Sequence, residues 1–172
     1  VTLHQDIYGS GYDHSDTDGM ILRTQLTPIF DANDIDVVLQ GHDHTYSRSK
    51  MLSGDGQTHD AYSMPMNEDG TDYDWYHAMN VATGELYTLW PEEGDAEGEA
   101  SKQAFVDGNK CYTIEETEGN ELTDPEGILY MTANSASGSK FYELLATQQD
   151  YIAARSQNWL PSYSVLHITA DT

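Results

Sequence analysis

A short apolar run at residues 35–39 limits most strongly what this chain can fold into. Its sequence, Ile-Asp-Val-Val-Leu, is β-branched without strict alternation, which is typical of a strand buried on both faces of a parallel sheet. Residues 20–30 precede it with apolar side chains at helical spacing, and residues 1–4 resemble the end of an earlier strand. The order strand, loop, helix, strand predicts a βαβ unit, and therefore an α/β (α+β) fold.

Three further elements are predicted near the end of the chain. Residues 128–133, Ile-Leu-Tyr-Met-Thr-Ala, have the composition of another strand. Residues 141–155 show a helical pattern, and residues 163–169 alternate well enough for a final strand.

The middle of the chain has a different composition. Residues 51–126 are dominated by Gly, Asp, Glu, Asn and Thr, and residues 91–100 are nearly all acidic or small, which predicts a mobile loop there. We expect irregular strands or small helices in the remainder, because structureless loops of this length are uncommon. Residues 1–172 are thus interpreted as part of one domain with an acidic insertion at about 51–126.

The charge of the chain excludes two classes of partner. Asp and Glu number 30 against seven Lys and Arg, which gives a formal net charge of −23. Such a surface repels nucleic acids and anionic lipids, because binding either depends on clustered basic residues. No apolar run approaches membrane-spanning length. The sequence therefore predicts neither a nucleic-acid surface nor a membrane segment.

Histidines follow both strands of the predicted βαβ unit. His4 ends the first strand, and His42 and His44 follow the second, after a glycine at position 41 that lets the backbone turn. Residues i and i+2 of an extended segment point to the same side, and parallel neighbours lie about 4.8 Å apart. Three imidazoles are therefore expected to face one crevice, where neutral histidine suits Zn, Fe or Mn.

The motifs around these histidines resemble a known family. Val1-Thr2-Leu3-His4 and Gly41-His42-Asp43-His44 resemble the V-x-x-H and G-H-x-H motifs of calcineurin-like metallophosphoesterases. The following Thr45-Tyr46-Ser47-Arg48 resembles the purple acid phosphatase branch, and residues 125–130 and 136–140 resemble its bacterial members.

The resemblance implies a fold, a reaction and a set of site residues. The fold would be part of a four-layer α/β/β/α sandwich with mixed sheets, and the reaction would be metal-dependent hydrolysis of phosphoric esters. Two Fe, Zn or Mn ions would be bound, one by His4 and His42 and the other by His44. His14 would contact the phosphate or act as a general acid; a solvent-exposed loop histidine is the alternative. Phosphorylated small molecules or other phosphoesters would be the substrates, and a secreted or cell-surface bacterial protein would be expected.

The sequence also departs from the family. The earlier motifs that supply the bridging Asp, a second carboxylate and an Asn are absent, and three neutral histidines do not balance two metal ions. We therefore expect the carboxy-terminal part of an enzyme, inactive alone, with exposed apolar surface that favours homo-oligomers. Two alternatives are a non-catalytic acidic metal- or ligand-binding module with a vestigial histidine cluster, and structural Ca²⁺ binding by the acidic segment.

Overall fold

The structure is a computed structural model that describes residues 1–12, 15, 18–115 and 121–169. Within these ranges the chain is mixed α and β, with two helices and two sheets, so the coarse fold prediction is confirmed. Neither helix there is long and apolar enough to cross a membrane. The elements in chain order are α1 (Asp18–Ala32), β1 (Val37–Gln40), β2 (Tyr46–Gly54), β3 (Tyr62–Ser63), β4 (His77–Asn80), β5 (Leu86–Thr88), α2 (Ala96–Gly108), β6 (Tyr112–Ile114), β7 (Ile128–Ala133) and β8 (Ile152–Ser156).

The larger sheet contains the predicted βαβ unit only in part, because residues 1–4 form a single bridge and not a strand. Its order is β1-β7-β2-β6, with β8 also paired to β2. The β1–β7 pair is parallel, whereas β2 runs antiparallel to β6, β7 and β8. The first residues of the chain add to β1 through a parallel bridge between Thr2 and Leu39, and the Leu3 amide donates to the Leu39 carbonyl over 3.0 Å. The chain start and β1 thus end at the same edge of the sheet.

Helix α1 joins the two hydrophobic cores. It spans the predicted helix and continues through Pro28 to Ala32. Near its end Phe30 packs into the core of the larger sheet, which comprises Ile7, Tyr8, Phe30, Val38, Leu52, Ile128, Tyr130, Tyr151 and Ile152. Near its start it contributes to the second core, which comprises Met20, Ile21, Tyr62, Ala78, Leu89 and Phe105. The acidic segment therefore packs directly on α1.

The acidic segment contains an ordered helix where a mobile loop was predicted. Strands β3, β4 and β5 form a three-stranded antiparallel sheet, which confirms the expected strands in this segment. Helix α2 begins at Ala96, so the loop prediction for residues 91–100 is wrong from that residue onward. The Asp95 side chain accepts from the Gly98 amide over 3.0 Å and caps the helix. The acidic residues of the first turn also suit the positive end of the helix dipole.

The predicted helix at residues 141–155 is also wrong. This segment contains strand β8, and before it Leu144 forms an antiparallel bridge with Gly11. The Leu145 amide donates to the Ser10 carbonyl over 2.9 Å, and Arg155 Nη1 donates to the Leu145 carbonyl over 2.6 Å. These contacts with the loop before α1 outweigh the weak preference of the segment for a helix.

The predicted strand at residues 163–169 does not form among the described residues. The segment has no regular secondary structure, and Tyr163 and Ile168 are each 83% exposed. Alternation alone does not make a strand, because the backbone amides and carbonyls need a partner strand.

A buried arginine fixes the loop before α1 to the sheet. Arg23 is 2% exposed, and its guanidinium carbon lies 4.5 Å from the Tyr8 ring centroid and 5.0 Å from that of Tyr151. Its Nε donates to the Ile7 carbonyl and its Nη2 to the Tyr151 hydroxyl, the latter over 2.9 Å. Burial raises the pKa of Tyr151 to about 12, so its hydroxyl keeps the proton that it donates to the Gly9 carbonyl.

Gly127, just before β7, provides a test of this sheet. Its φ is +85°, and a Cβ there would lie 3.0 Å from the Leu52 carbonyl carbon and oxygen in β2. Gly127→Ala should lower the free energy of unfolding by about 2–4 kcal/mol, from left-handed strain and overpacking together. The control Gly84→Ala, at φ +74° with open space around its Cβ, should cost about 1–2 kcal/mol. Equal losses in urea unfolding would contradict the β2–β7 register.

Candidate metal centre

The carboxyl ends of the parallel strands are followed by residues with left-handed backbone. His42 follows β1 with φ +69°, and Asn134 follows β7 with φ +68°. The positive φ thus falls on His42 and not on Gly41. Gly41 instead allows a close approach: its amide donates to the His4 carbonyl over 3.1 Å, and a Cβ there would lie 3.3 Å from that oxygen. This approach brings the first histidine beside the second.

His4 and His42 meet as the sequence predicted. His42 Nδ1 lies 3.0 Å from His4 Nε2, and the ring centroids are 4.9 Å apart. Two nitrogens that bind the same ion at about 2.1 Å lie about 3.0–3.4 Å apart, for N–metal–N angles between the octahedral and the tetrahedral value. An N–H···N hydrogen bond has a similar length. The distance is therefore compatible with two ligands of a single Zn, Fe or Mn ion and equally with a hydrogen bond between the two rings.

His44 makes different contacts. Its Nδ1 lies 2.9 Å from the Lys140 carbonyl oxygen, and its ring lies against Tyr142 at 5.1 Å between centroids. A carbonyl only accepts, so Nδ1 carries a proton and Nε2 is the nitrogen left to bind a metal. Metal-ligating histidines are commonly oriented by such a bond. Among the described residues, however, no three or more His, Cys, Asp or Glu side chains form a group that could hold a metal.

The remaining predicted site residue, His14, lies outside the described residues. Its assignment as a phosphate contact or general acid stays a prediction. Two other histidines are engaged by carboxylates: His59 Nε2 lies 2.9 Å from both oxygens of Asp55, and His77 Nδ1 lies 2.7 Å from Asp74 Oδ2.

A buried polar network under the histidines was missed by sequence reasoning. Gln40, the last residue of β1, accepts at Oε1 from the amides of Ile7 and Tyr8, over 2.9 and 3.1 Å. Its Nε2 donates to Asp6 Oδ1 over 2.8 Å, and the Thr132 hydroxyl of β7 donates to Asp6 Oδ2 over 2.7 Å. The loop that carries His4 is thereby attached to the ends of two parallel strands.

Asp43 attaches the second histidine segment to the same loop. It lies between His42 and His44 in the sequence but is 1% exposed. Its Oδ2 accepts from the Gly11 amide over 2.9 Å and also from the Ser15 hydroxyl. In an extended segment Asp43 would point away from both histidines, but residues 42–45 bend and His42 has a left-handed backbone. The sequence pattern therefore did not reveal that Asp43 is buried.

Two buried carboxyls close together alter the electrostatics of this network. Burial raises the pKa of Asp6 well above its ordinary range, and the nearby Asp43 carboxylate raises it further. Asp6 therefore keeps its proton to higher pH than an exposed aspartate does.

Comparison with known proteins gives no relative on which a function could be based. No model of a known protein family matches the chain. None of the curated proteins matches its sequence either. The functional case therefore depends on the residues described above.

The raised pKa of Asp6 predicts how stability changes with pH. The folded state holds this proton above the unfolded pKa of about 3.9, so stability falls as pH rises from about 4 through the folded-state pKa. Asp6→Asn removes this dependence. Relative to wild type, the free energy of unfolding of the variant should rise as pH increases from about 4, because wild type alone loses the stability that the bound proton provides.

Urea unfolding of both proteins between about pH 4.5 and pH 8 measures this difference. Asp36→Asn, at an exposed aspartate, is the matched control and should differ from wild type by a constant amount. A difference for Asp6→Asn that does not change with pH would contradict the raised pKa.

Proposed function

We propose that this chain carries the histidine-bearing part of a metal-dependent phosphoester hydrolase. The supporting observation is the His4–His42 pair, with nitrogens 3.0 Å apart at the carboxyl ends of parallel strands. Ligand sites of α/β sheets favour this edge. A metal ion bound by these two nitrogens would supply Lewis-acid chemistry, which would polarise a phosphoryl oxygen and make water a better nucleophile near neutral pH.

Under this proposal two described histidines would contribute ligands to one ion, and a backbone carbonyl orients a third histidine. His4 Nε2 and His42 Nδ1 would hold the ion, and the Lys140 carbonyl would orient His44 so that its Nε2 faces away from that bond. Asp43 and Asp6 do not serve as ligands, because they are buried and engaged by the loop amides and by Gln40. A second ion would require further carboxylates, which in the proposed four-layer sandwich would come from elsewhere.

The first test is metal binding by the chain itself. Calorimetric titration of tag-free protein with Zn²⁺ or Mn²⁺ should reveal one site, and His4→Ala or His42→Ala should weaken it at least about tenfold. His167→Ala is the matched control because His167 is exposed and distant in sequence; it should bind as wild type does. Equal affinity in all four proteins would assign the bound metal to the general acidic surface and contradict the site.

The second test is catalysis. The chain alone should not hydrolyse p-nitrophenyl phosphate above the buffer rate with Zn²⁺, Mn²⁺ or Fe²⁺ added, because two imidazoles leave the charge of a dinuclear centre unbalanced. Metal-dependent turnover that disappears in His42→Ala would show that the site is complete without further carboxylates. A parent protein that contains this chain yet lacks metal-dependent phosphoesterase activity would instead support the non-catalytic acidic module.

A further inference from the structure

Residues 66–76, here called the aromatic hairpin, connect β3 and β4 in the acidic segment. They belong to a different sheet from the histidine pair. Its large side chains are about half exposed or more: Met66, Tyr73, Trp75 and Tyr76. The Tyr73 and Trp75 rings meet edge-on with centroids 6.1 Å apart. Isolated exposed apolar residues are ordinary, whereas clustered ones are typical of interaction surfaces.

The backbone of the aromatic hairpin is held in place by its own hydrogen bonds. The Asn67 amide donates to the Asp72 carbonyl over 2.9 Å, and the Asp74 amide donates to the Pro65 carbonyl over 2.8 Å. Asp74 also bonds the imidazole of His77 in β4 over 2.7 Å. The rings are thus presented by an ordered scaffold, which lowers the entropic cost of binding.

The charge around the rings has one sign. Residues 51–101 contain 12 Asp and Glu and no Lys or Arg. Three of these carboxylates, Glu68, Asp69 and Asp72, are exposed within the aromatic hairpin. A second copy of this chain would bring like charges together, so self-association through this face is disfavoured.

The protein itself pairs cations with aromatic rings. Lys102, the first basic residue after that stretch, places Nζ 5.0 Å from the ring centroid of the half-buried Trp90. Arg23 is held in the same way between Tyr8 and Tyr151. Aromatic rings with carboxylates nearby attract cations through two interactions, the cation–π interaction with the ring and Coulomb attraction to the carboxylates.

We propose that the aromatic hairpin is a docking surface for a Lys/Arg-rich polypeptide segment. Guanidinium groups would stack on Trp75, Tyr76 and Tyr73 while Glu68 and Asp72 bond their N–H donors. The surface acts independently of the histidine pair, so its occupancy does not require a metal.

The test uses a labelled nine-residue peptide of alternating Arg and Gly, with Gln in place of Arg in the control peptide. Fluorescence anisotropy should show binding of the Arg peptide only, weaker at about 300 mM than at about 50 mM NaCl. Trp75→Ala should weaken it about fivefold. Trp159→Ala is the matched control, since Trp159 is 53% and Trp75 52% exposed, and it should bind as wild type does.

A second pair of variants separates local from general charge. Glu68→Gln/Asp72→Asn should weaken peptide binding severalfold, whereas Glu121→Gln/Glu126→Gln, with the same change in net charge at exposed residues, should not. In amide NMR spectra the Trp75 indole resonance should shift with peptide and that of Trp159 should not. No binding by wild type, equal loss in both double variants, or full affinity in Trp75→Ala would overturn the proposal, leaving a diffuse acidic surface.

Discussion

The geometry of the candidate site depends on the side chain of Gln40. It ends β1, accepts from two successive loop amides, and donates to a buried carboxyl that also binds Thr132 of β7. This arrangement satisfies polar groups that have no access to water, and an unsatisfied buried partner would cost about 1–3 kcal/mol. With Asp43 attached to the same loop, both histidine segments are held against the sheet edge. The left-handed backbone of His42, which is unfavourable for that residue, is stabilised by these surroundings.

Sequence periodicity predicted the helices and strands whose conformation follows from their local sequence. The helix α1 and the strands β1 and β7 are confirmed within one or two residues at most of their boundaries, because each combines a clear apolar pattern with a matching propensity. The meeting of His4 and His42 was predictable for a related reason, since the βαβ connection places consecutive parallel strands side by side and their carboxyl ends together.

What the sequence did not predict depends on contacts between distant segments. Residues 141–155 have a helical pattern, but Leu144 forms a bridge with the loop that precedes α1 and β8 pairs with β2. The burial of Asp6 and Asp43 also has no local signal, because charged residues are ordinarily exposed. In contrast, the start of α2 has a recognisable sequence pattern, an Asp at the N-cap followed by acidic residues in the first turn. The low hydrophobicity of the segment favoured a loop interpretation instead.

The most direct measurement is long-range ¹H–¹⁵N NMR of the imidazoles during titration with Zn²⁺. Before Zn²⁺ is added, His44 should be the Nδ1–H tautomer, bonded to the Lys140 carbonyl. One equivalent of Zn²⁺ should shift His4 Nε2 and His42 Nδ1 together to values of coordinated nitrogen while His44 Nδ1 keeps its proton. If His4 and His42 respond at different Zn²⁺ concentrations, or neither responds, the pair is not a metal site and the proposed function fails with it.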